Sequence, residues 1–251
     1  MTFKIPVLFL SGMTKINRDE GLSIIAHEIK NSLAGIVMGL ELIEKNFGKD
    51  ALITSLIKEA QRLFELSRDS ITLSRPLELE LLPADIRSLV NECISIQDKV
   101  AKENDVKLIN KIPERFPPIL CDREKLKSAF INLIKNGIHH ANKQGWVEIG
   151  GKNLGNNMVE IYVYNSDGYI DLKEPKNVFK KFYTGRKGGI GLGLSVVHKI
   201  VYEHFGVIDI ESRKGYGTKF IITMPTDFHF VDRRRYSERR SGRDRRTRRK
   251  V

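Results

Sequence analysis

The stretch LSIIAHEIKNSLAGIVMGLELIEKNF (residues 22–47) decides the first part of the fold. Its apolar residues recur three or four positions apart, which is the spacing of one face of an α-helix. Two consecutive steps of four, from Ile25 to Leu33, interrupt an otherwise coiled-coil-like seam. After a break at residues 48–50 a second, less regular seam follows, and Pro76 ends it. The pattern predicts a helical hairpin.

A two-helix hairpin with long apolar stripes on both helices cannot bury them by pairing the two helices alone. A second copy of the hairpin would cover the stripes by forming a four-helix bundle. The sequence therefore predicts a homodimer. The alternative, in which the hairpin packs on the C-terminal part of its own chain, stays open at this point.

Beyond Pro76 the pattern changes to mixed helix and strand, which predicts an α+β fold in which helices back a sheet. Helices are predicted at residues 85–100, 122–141 and 192–205. Short runs that alternate apolar and polar residues predict strands at residues 106–108, 147–149, 159–163, 208–210 and 220–224. Alternation of this kind is typical of a sheet with one face covered.

The net charge of +12 is concentrated at the C-terminus. Residues 232–251 contain ten Arg and one Lys against three acidic residues, a net charge of +8, so only +4 remains for the other 231 residues. Such a segment, nearly free of apolar residues, is expected to be a solvated, disordered extension. Its charge would also bind an acidic partner, a nucleic acid or an anionic membrane.

The remaining composition argues against several classes of protein. The N-terminal apolar run IPVLFL (residues 5–10) is far shorter than a membrane span and lacks a cleavage site. Cys93 and Cys121 lie in unrelated contexts without C-x-x-C spacing, so neither a disulfide framework nor a zinc knuckle is supported. We expect a soluble, cytoplasmic protein.

His27 is the first candidate for chemistry. It lies two residues from the seam positions Ile25 and Ile29, about 200° around the helix from each, so its ring is predicted to point away from the bundle core. Asn31 shares its face, and the adjacent Glu28 is within reach of the imidazole. A His-Glu pair by itself is more often a solvated helix face.

The second candidate is FINLIKNGIHHA (residues 130–141), inside a predicted helix. Asn132 and Asn136 are four residues apart and project from one face, with His139 and His140 in the next turn. Aligned amides can orient a phosphate and a hydrated magnesium ion. By itself the pair is equally typical of a solvent-exposed polar face.

Two glycine-rich segments follow. GGIGLGL (residues 188–194) directly precedes a predicted helix, so its backbone N–H groups and the helix N-terminus can approach phosphate oxygens. GYGTKF (residues 215–220) is a glycine turn that opens the last strand. Neither segment is specific when taken singly.

Taken in order, these segments closely resemble the two-component sensor histidine kinase family over residues 20–225, roughly. AHEIKNSLAGI (residues 26–36) resembles the H box, NLIKNG (132–137) the N box, VFKKFYTG (178–185) the F box, GIGLGL (189–194) the second glycine box and GYGTKF (215–220) the last glycine box. The resemblance implies a dimeric four-helix bundle of helical hairpins joined to an α/β sandwich that binds ATP. That sandwich is of the type shared by histidine kinases, gyrase, Hsp90 and MutL.

The resemblance also assigns roles to residues. His27 would be the phosphorylated residue, Glu28 would accept the proton of the other ring nitrogen, and Asn136 would hold Mg²⁺. In some members the Glu-x-x-Asn pattern, here Glu28 and Asn31, also orients water to dephosphorylate the partner protein. The positions that would surround ATP are Asn132, Asn136, His139, His140, Asn165, Ile170, Phe182, Tyr183, Arg186, Gly189, Gly191, Leu192, Gly193, Leu194 and Thr218.

Two positions depart from the family pattern. Ser32 stands where Pro usually follows the Asn of the H box, which predicts a weaker helix bend. At the first glycine box the sequence is NSDGYI (residues 165–170), with Asn165 in place of the Asp that recognises the adenine amino group. The amide oxygen can still accept that hydrogen bond without a charge, and Asp167 and Tyr169 occupy glycine positions. Adenine binding is therefore expected to be weakened.

The resulting hypothesis is an ATP-dependent protein-histidine kinase that phosphorylates His27 and passes the phosphoryl group to an Asp of a response regulator receiver domain. The alternative is a catalytically weak scaffold that docks a regulator without using ATP. Because few residues precede the hairpin, input is expected from a separate sensor or input partner, from the short N-terminus or from the Arg-rich tail. We divide the chain into an N-terminal segment (1–18), a dimerisation and phosphotransfer hairpin (19–76), an ATP-binding domain (77–226) and an Arg-rich tail (227–251).

Overall fold

The computed structural model describes most of the chain between residues 18 and 227. The described ranges are 18–48, 50–74, 76–170, 175–184 and 190–227, with the backbone only for 18–28, 30, 175 and 176. The chain divides into two compact units, residues 1–75 and 76–251. Within the described ranges no helix has the length and apolar character that crossing a membrane requires.

The first unit is the predicted helical hairpin. Helix α1 (Arg18–Phe47) and helix α2 (Ala51–Ser74) are separated by three residues of sequence and pack along each other. Asp50 caps α2, because its Oδ1 accepts hydrogen bonds from the backbone N–H groups of Leu52 at 2.8 Å and Ile53 at 3.1 Å. These bonds satisfy donors that the helix itself leaves without a partner.

Much of the apolar surface of the hairpin is open in the single chain. Ile36, a seam position of α1, is 52% exposed, and Leu56, a seam position of α2, is 47% exposed. The other large apolar side chains that are exposed on the two helices are Ile29, Met38, Leu42, Ile43, Phe47, Leu52 and Leu63. Pairing α1 with α2 therefore leaves a continuous apolar stripe without cover, as the sequence predicts.

The second unit is the predicted α/β sandwich. Its helices are α3 (Ile86–Glu103), α4 (Arg123–His140) and α5 (Gly193–Glu203). Its strands are β1 (Leu82–Ala84), β2 (Lys107–Lys111), β3 (Ile119–Cys121), β4 (Trp146–Gly155), β5 (Met158–Asn165), β6 (Val207–Arg213) and β7 (Gly217–Pro225). The main sheet has the order β2-β4-β5-β7-β6, in which only β2 and β4 are parallel, and β1 pairs with β3 in a separate ribbon.

The core lies between the helices and one face of the main sheet. Along β5 every second residue is buried: Ile161 is fully inaccessible and Val163 is 2% exposed, while the intervening Tyr162 is only half-buried. Helix α4 approaches this face so closely at Gly137 that a Cβ there would lie 2.9 Å from Val147 Cγ2. A side chain larger than hydrogen would therefore push α4 away from the sheet.

The strands extend beyond the predicted runs. β4 continues from the predicted residues 147–149 to Gly155, across Lys152 and Asn153, because its polar half pairs with the start of β5. Exposed polar residues in a hairpin do not produce the alternation that identified its buried half. The ribbon of β1 and β3 is an addition to the prediction, because strands of three residues carry too little pattern to be recognised.

A buried histidine ties α4 to α5. His204 is fully buried at the end of α5, where its Nε2 accepts a hydrogen bond of 3.0 Å from the backbone N–H of Asp122. Its Nδ1 lies 2.8 Å from the carbonyl oxygen of Ile200 and donates to it in the neutral tautomer that this pairing requires. Asp122 in turn caps α4 by accepting from the N–H of Lys125 at 3.0 Å.

We predict that His204 makes the second unit less stable at low pH. Burial, the largest cause, lowers the pKa of His204 from its ordinary 6.5, against the raising effects of Ile200 and Asp122. The unfolded chain therefore binds a proton below pH 6.5 that the folded chain rejects, so the free energy of unfolding falls as the pH drops through that window. Between pH 7.5 and 5.5 the wild type should lose roughly 1 kcal/mol more than His204→Gln, which does not titrate.

Urea denaturation followed by the fluorescence of Trp146 measures this difference, because Trp146 is the single tryptophan of the chain and lies in β4. Equal losses in the wild type and in His204→Gln would contradict the prediction. Comparison of the two proteins removes the contribution of all other titrating groups, which they share.

Candidate nucleotide site

The predicted site segments of the second unit converge at one end of the main sheet. Asn165, the last residue of β5, pairs with Val147 of β4 on one side and with Thr218 of β7 on the other. Thr218 pairs in turn with Ser212 of β6. The first and last glycine boxes are thus neighbours across adjacent strands, although they are about fifty residues apart in the sequence.

Hydroxyl groups hold the first glycine box in place. Thr218 Oγ1 donates to the carbonyl oxygen of Gly168 at 2.8 Å and lies 2.7 Å from Ser212 Oγ. Ser212 Oγ accepts from the backbone N–H of Ile170 at 2.9 Å. The structure therefore uses Thr218, which the resemblance assigns to nucleotide binding, as a tether for this loop. The sequence analysis missed Ser212, which only the strand register places beside Thr218.

Asn165 is buried in an unusual polar environment. Its residue is 2% exposed, and its Nδ2 atom has no hydrogen-bond partner among the described residues. A Cβ built on Gly168 would collide with that Nδ2 and would lie 2.7 Å from the carbonyl oxygen of His140. The absence of a side chain at Gly168 therefore makes room for the amide and brings the loop against the end of α4.

The N-box residues lie on α4, beside the start of α5. Asn132 and Asn136 are both half-buried, and Asn132 Nδ2 is buried without a partner in the described part of the chain. A Cβ built on Gly193 would lie 3.9 Å from Asn132 Oδ1. The side chain of Asn132 therefore lies beside Gly193, and a methyl group at Gly193 would only reach van der Waals contact with it. His139 and His140 follow as exposed residues in the last turn of α4.

The glycine-rich loop packs against the F box. Gly191 adopts φ +73°, and its carbonyl oxygen accepts a hydrogen bond of 2.9 Å from the backbone N–H of Phe182. A Cβ on Gly191 would lie 2.6 Å from the carbonyl carbon of Phe182 and 2.6 Å from the carbonyl oxygen of Tyr183. Both the backbone conformation and the close approach therefore require glycine at this position.

Helix α5 begins without a side-chain cap. Leu192 occupies the N-cap position and is 4% exposed, and no side chain there accepts from the first N–H groups of the helix. The hydroxyl of Ser195 donates to the carbonyl oxygen of Leu192 at 2.7 Å instead. Free N–H groups at a helix N-terminus favour an anion, which fits the phosphate role predicted for Gly193 and Leu194.

The F-box aromatics divide between the core and the surface. Phe179 packs edge-on against Phe220 with ring centroids 6.5 Å apart, so it belongs to the core. Phe182 and Tyr183 are 69% and 43% exposed. Phe182 also has φ 65°, a strained conformation for a bulky side chain.

The remaining predicted site residues are outside this geometry. His27, Glu28 and Asn31 lie in α1 of the first unit, where the side chains of His27 and Glu28 are outside the described atoms and Asn31 is exposed. Arg186 and Gly189 lie outside the described residues, as do the N-terminal segment before Arg18 and the Arg-rich tail.

Comparisons with known proteins identify the class of the second unit. Residues 121–227 match the family described as histidine kinase-, DNA gyrase B- and HSP90-like ATPase. The fold is also that of the nucleotide-free catalytic domain of the histidine kinase ThkA, at TM-score 0.54 and 26% identity over 59% of this chain and 96% of that one. A histidine kinase of Acinetobacter baumannii, AdeS, gives TM-score 0.62 at 22% identity over 78% of this chain and 96% of that one. The second unit is therefore an ATP-binding domain of this type.

The relatives narrow the class to a family. The chain is 29% identical over 212 residues to sporulation kinase E of Bacillus subtilis and 24% identical over 204 residues to the histidine-protein kinase AtoS of Escherichia coli. These matches cover 84% and 80% of this chain but 29% and 34% of the relatives, so the chain spans about a third of their length. The chain is therefore similar to two-component sensor histidine kinases over four fifths of its length.

We predict that Gly191→Ala destabilises the second unit. An alanine at φ +73° would adopt a strained conformation and its Cβ would press on Phe182 and Tyr183, which together should lower the free energy of unfolding by about 2 kcal/mol. Gly193→Ala is the matched control, because the nearest atom to its Cβ is 3.9 Å away and its φ is not positive. That variant should change stability by less than about 0.5 kcal/mol.

Urea denaturation followed by Trp146 fluorescence compares the two variants with the wild type. If both substitutions had the same small effect, the close packing of Gly191 against the F box would be contradicted.

Proposed function

We propose that the chain is an ATP-dependent protein-histidine kinase that phosphorylates His27 and passes the phosphoryl group to an Asp of a response regulator. Residues 19–76 would form the dimerisation and phosphotransfer hairpin and residues 77–226 the ATP-binding domain. The chain spans only part of its relatives, so its activity is inferred from its own residues and not from their names.

One observation carries the proposal. The N box, the first and last glycine boxes and the glycine-rich loop lie close together. Thr218 bonds to Gly168, a Cβ built on Gly168 would lie 2.7 Å from the carbonyl oxygen of His140, and a Cβ built on Gly193 would lie 3.9 Å from Asn132 Oδ1. These segments lie between residues 132 and 218 of the sequence, so their proximity is a property of the fold. It supports a single polar site in the proposed ATP-binding domain.

The residues of this site fit a bound nucleotide. Asn132 and Asn165 each bury an amide nitrogen that lacks a partner among the described residues, and α5 begins without a side-chain cap. Buried donors without partners and free helix N–H groups are atoms that a phosphate or a base would satisfy. Asn136 offers an amide oxygen on the same helix for Mg²⁺, which would spread the negative charge of the transferred phosphoryl group.

The chemistry at the hairpin follows from the imidazole. A ring nitrogen of His27 would attack the γ-phosphorus of ATP as the bond to the β-phosphate oxygen breaks, releasing ADP and forming a phosphohistidine. Glu28, the next residue, would accept the proton of the other ring nitrogen and so make the ring a better nucleophile. The phosphoryl group would then move from His27 to a carboxylate oxygen of the regulator.

A response regulator is the proposed partner, and the same hairpin would dephosphorylate it. A solved complex of the histidine kinase ThkA with the response regulator TrrA shares the fold, at TM-score 0.60 and 24% identity over 86% of this chain and 68% of that one. Asn31, exposed on α1, is the side chain we propose to orient the hydrolytic water together with Glu28.

The hairpin is also the proposed dimer interface. Its exposed stripe includes Ile36 and Ile43, seven residues apart, which is the spacing of one seam of a helical bundle. A second copy would supply the same stripe with two-fold symmetry and cover both. Burial of this area is the favourable term that would hold the dimer together.

A second candidate function is a scaffold that docks a regulator without using ATP. The uncharged Asn165 favours it, as does the first glycine box, in which Asp167 has φ 64° and Tyr169 is 45% exposed. A backbone that approaches adenine closely is usually built with glycine at such positions. The two candidates differ in whether the purified chain labels itself.

We predict that the chain incubated with γ-labelled ATP and Mg²⁺ acquires a label that is lost in acid and retained in base, as expected for a phosphohistidine. His27→Ala should lose at least about 95% of the label, because the remaining groups of the hairpin cannot replace the imidazole nucleophile. His229→Ala, which removes a histidine from the C-terminal segment, is the matched control and should label normally.

An unlabelled wild type, or a label that persists in His27→Ala, would contradict the kinase proposal. If a phosphorylated regulator still lost its phosphate in the presence of an unlabelled chain, the scaffold reading with phosphatase activity would replace it.

We predict that the chain is a dimer and that Ile36→Glu weakens it at least tenfold. The substitution would bury a charge in an apolar interface, which costs more than the contacts it replaces. Lys45→Glu is the control, because Lys45 is an exposed polar position of the same helix and carries the same change to glutamate. Sedimentation equilibrium measures the dissociation constants. A monomeric wild type, or equal constants for the two variants, would contradict the proposed interface.

A further inference from the structure

The buried amide of Asn165 has a donor that the described part of the protein does not use. The residue is 2% exposed, and no described atom accepts a hydrogen bond from Nδ2. Leaving such a donor unpaired in the interior costs free energy, which a ligand with an acceptor at this place would recover. The free Nδ2 donor therefore fits a ligand with a hydrogen-bond acceptor. The Oδ1 atom of the same amide can accept from a ligand donor.

The position of this amide is set by the sheet. Asn165 pairs with Val147 and Thr218 on its two sides, and a Cβ on Gly137 would lie 3.5 Å from Asn165 Cβ. The side chain thus has a fixed origin between β4, β7 and α4. What remains free is rotation of the amide group, which exchanges Oδ1 and Nδ2.

A carboxamide and a carboxylate present different patterns to a purine. A carboxylate only accepts, so it pairs with the 6-amino group of adenine and repels the carbonyl oxygen of a 6-oxopurine. A carboxamide carries one acceptor and one donor group side by side. It can complement the amino and ring-nitrogen edge of adenine in one orientation and the carbonyl and ring N–H edge of a 6-oxopurine in the other.

We propose that Asn165 makes the base end of this site accept 6-oxopurine nucleotides, those of hypoxanthine and guanine, as well as adenine nucleotides. This inference rests on the proposed nucleotide-binding function. Because no described atom accepts a hydrogen bond from Nδ2, this donor is available to the carbonyl oxygen of a 6-oxopurine.

The carboxylate of Asp167 does not restore a preference for adenine over 6-oxopurines. Asp167, two residues beyond Asn165, is exposed. It acts on Tyr164, whose pKa is raised by burial first and by Asp167 next. Tyr164 is adjacent to Asn165 in β5 and therefore faces the opposite side of the sheet. The carboxylate of Asp167 is therefore in a solvent-exposed position, where its charge is screened, while the amide of Asn165 is buried.

Binding of ADP and IDP to the full chain with Mg²⁺, measured by isothermal titration calorimetry, tests the inference without any turnover. The two nucleotides differ only at the 6-position edge of the base. We expect the wild type to bind them with dissociation constants within about threefold of each other. Asn165→Asp should bind ADP at least tenfold more tightly than IDP, because the carboxylate rejects the carbonyl oxygen.

Asn165→Ala separates recognition from folding, since it removes the donor and the acceptor together. It should weaken ADP and IDP by similar factors and keep their ratio near one, and its circular dichroism spectrum reports that it is folded. A wild type that prefers ADP by more than tenfold would overturn the inference and leave the proposed kinase function intact. Binding of neither nucleotide by the wild type would overturn both.

Discussion

The close packing of α4 against the sheet at Gly137 is the constraint on which the nucleotide site depends. At Gly137 only a hydrogen atom fits between the backbone of α4 and the methyl groups of Val147. This contact sets the distance between α4 and the strands β4 and β5. This position brings His140 against Gly168 and sets Asn132 beside the start of α5. A small displacement of the helix would separate the N box from both glycine-rich segments at once.

The periodicity of apolar residues explains which parts of the fold the sequence predicts. The helical hairpin and the three helices of the second unit have apolar spacings that repeat over many residues, so their existence follows from the sequence alone. The buried halves of β4 and β5 alternate and were predicted for the same reason. The outer half of β4, across Lys152 and Asn153, depends on a partner strand, and no local pattern reveals that pairing.

The sequence indicates which residue types surround the candidate site. It does not indicate which structural role each of these residues has. Glycine spacing assigns Gly191 to phosphate binding, whereas its φ and its close approach to the F box give a structural reason for glycine that spacing does not predict. Thr218 and Ser212 could not be assigned from spacing, because their hydroxyl pair forms only when β6 and β7 are aligned. His204 was also missed: a histidine in an apolar helix gives no signal that both of its ring nitrogens are paired.

The two units differ in the groups that lack a favourable environment: exposed apolar side chains in the hairpin and buried amide groups in the second unit. The hairpin exposes apolar side chains such as Ile36 and Leu56, and in the proposed dimer a second copy would cover them, so that its stability would rise with protein concentration. The second unit has a buried apolar core, but it buries the amide nitrogens of Asn132 and Asn165 without partners among the described residues. A bound nucleotide would satisfy them, and mass action would then stabilise this unit in proportion to the logarithm of nucleotide concentration. An uncharged Asn165 is consistent with this arrangement, because a buried carboxylate without its ligand would cost more than a buried amide.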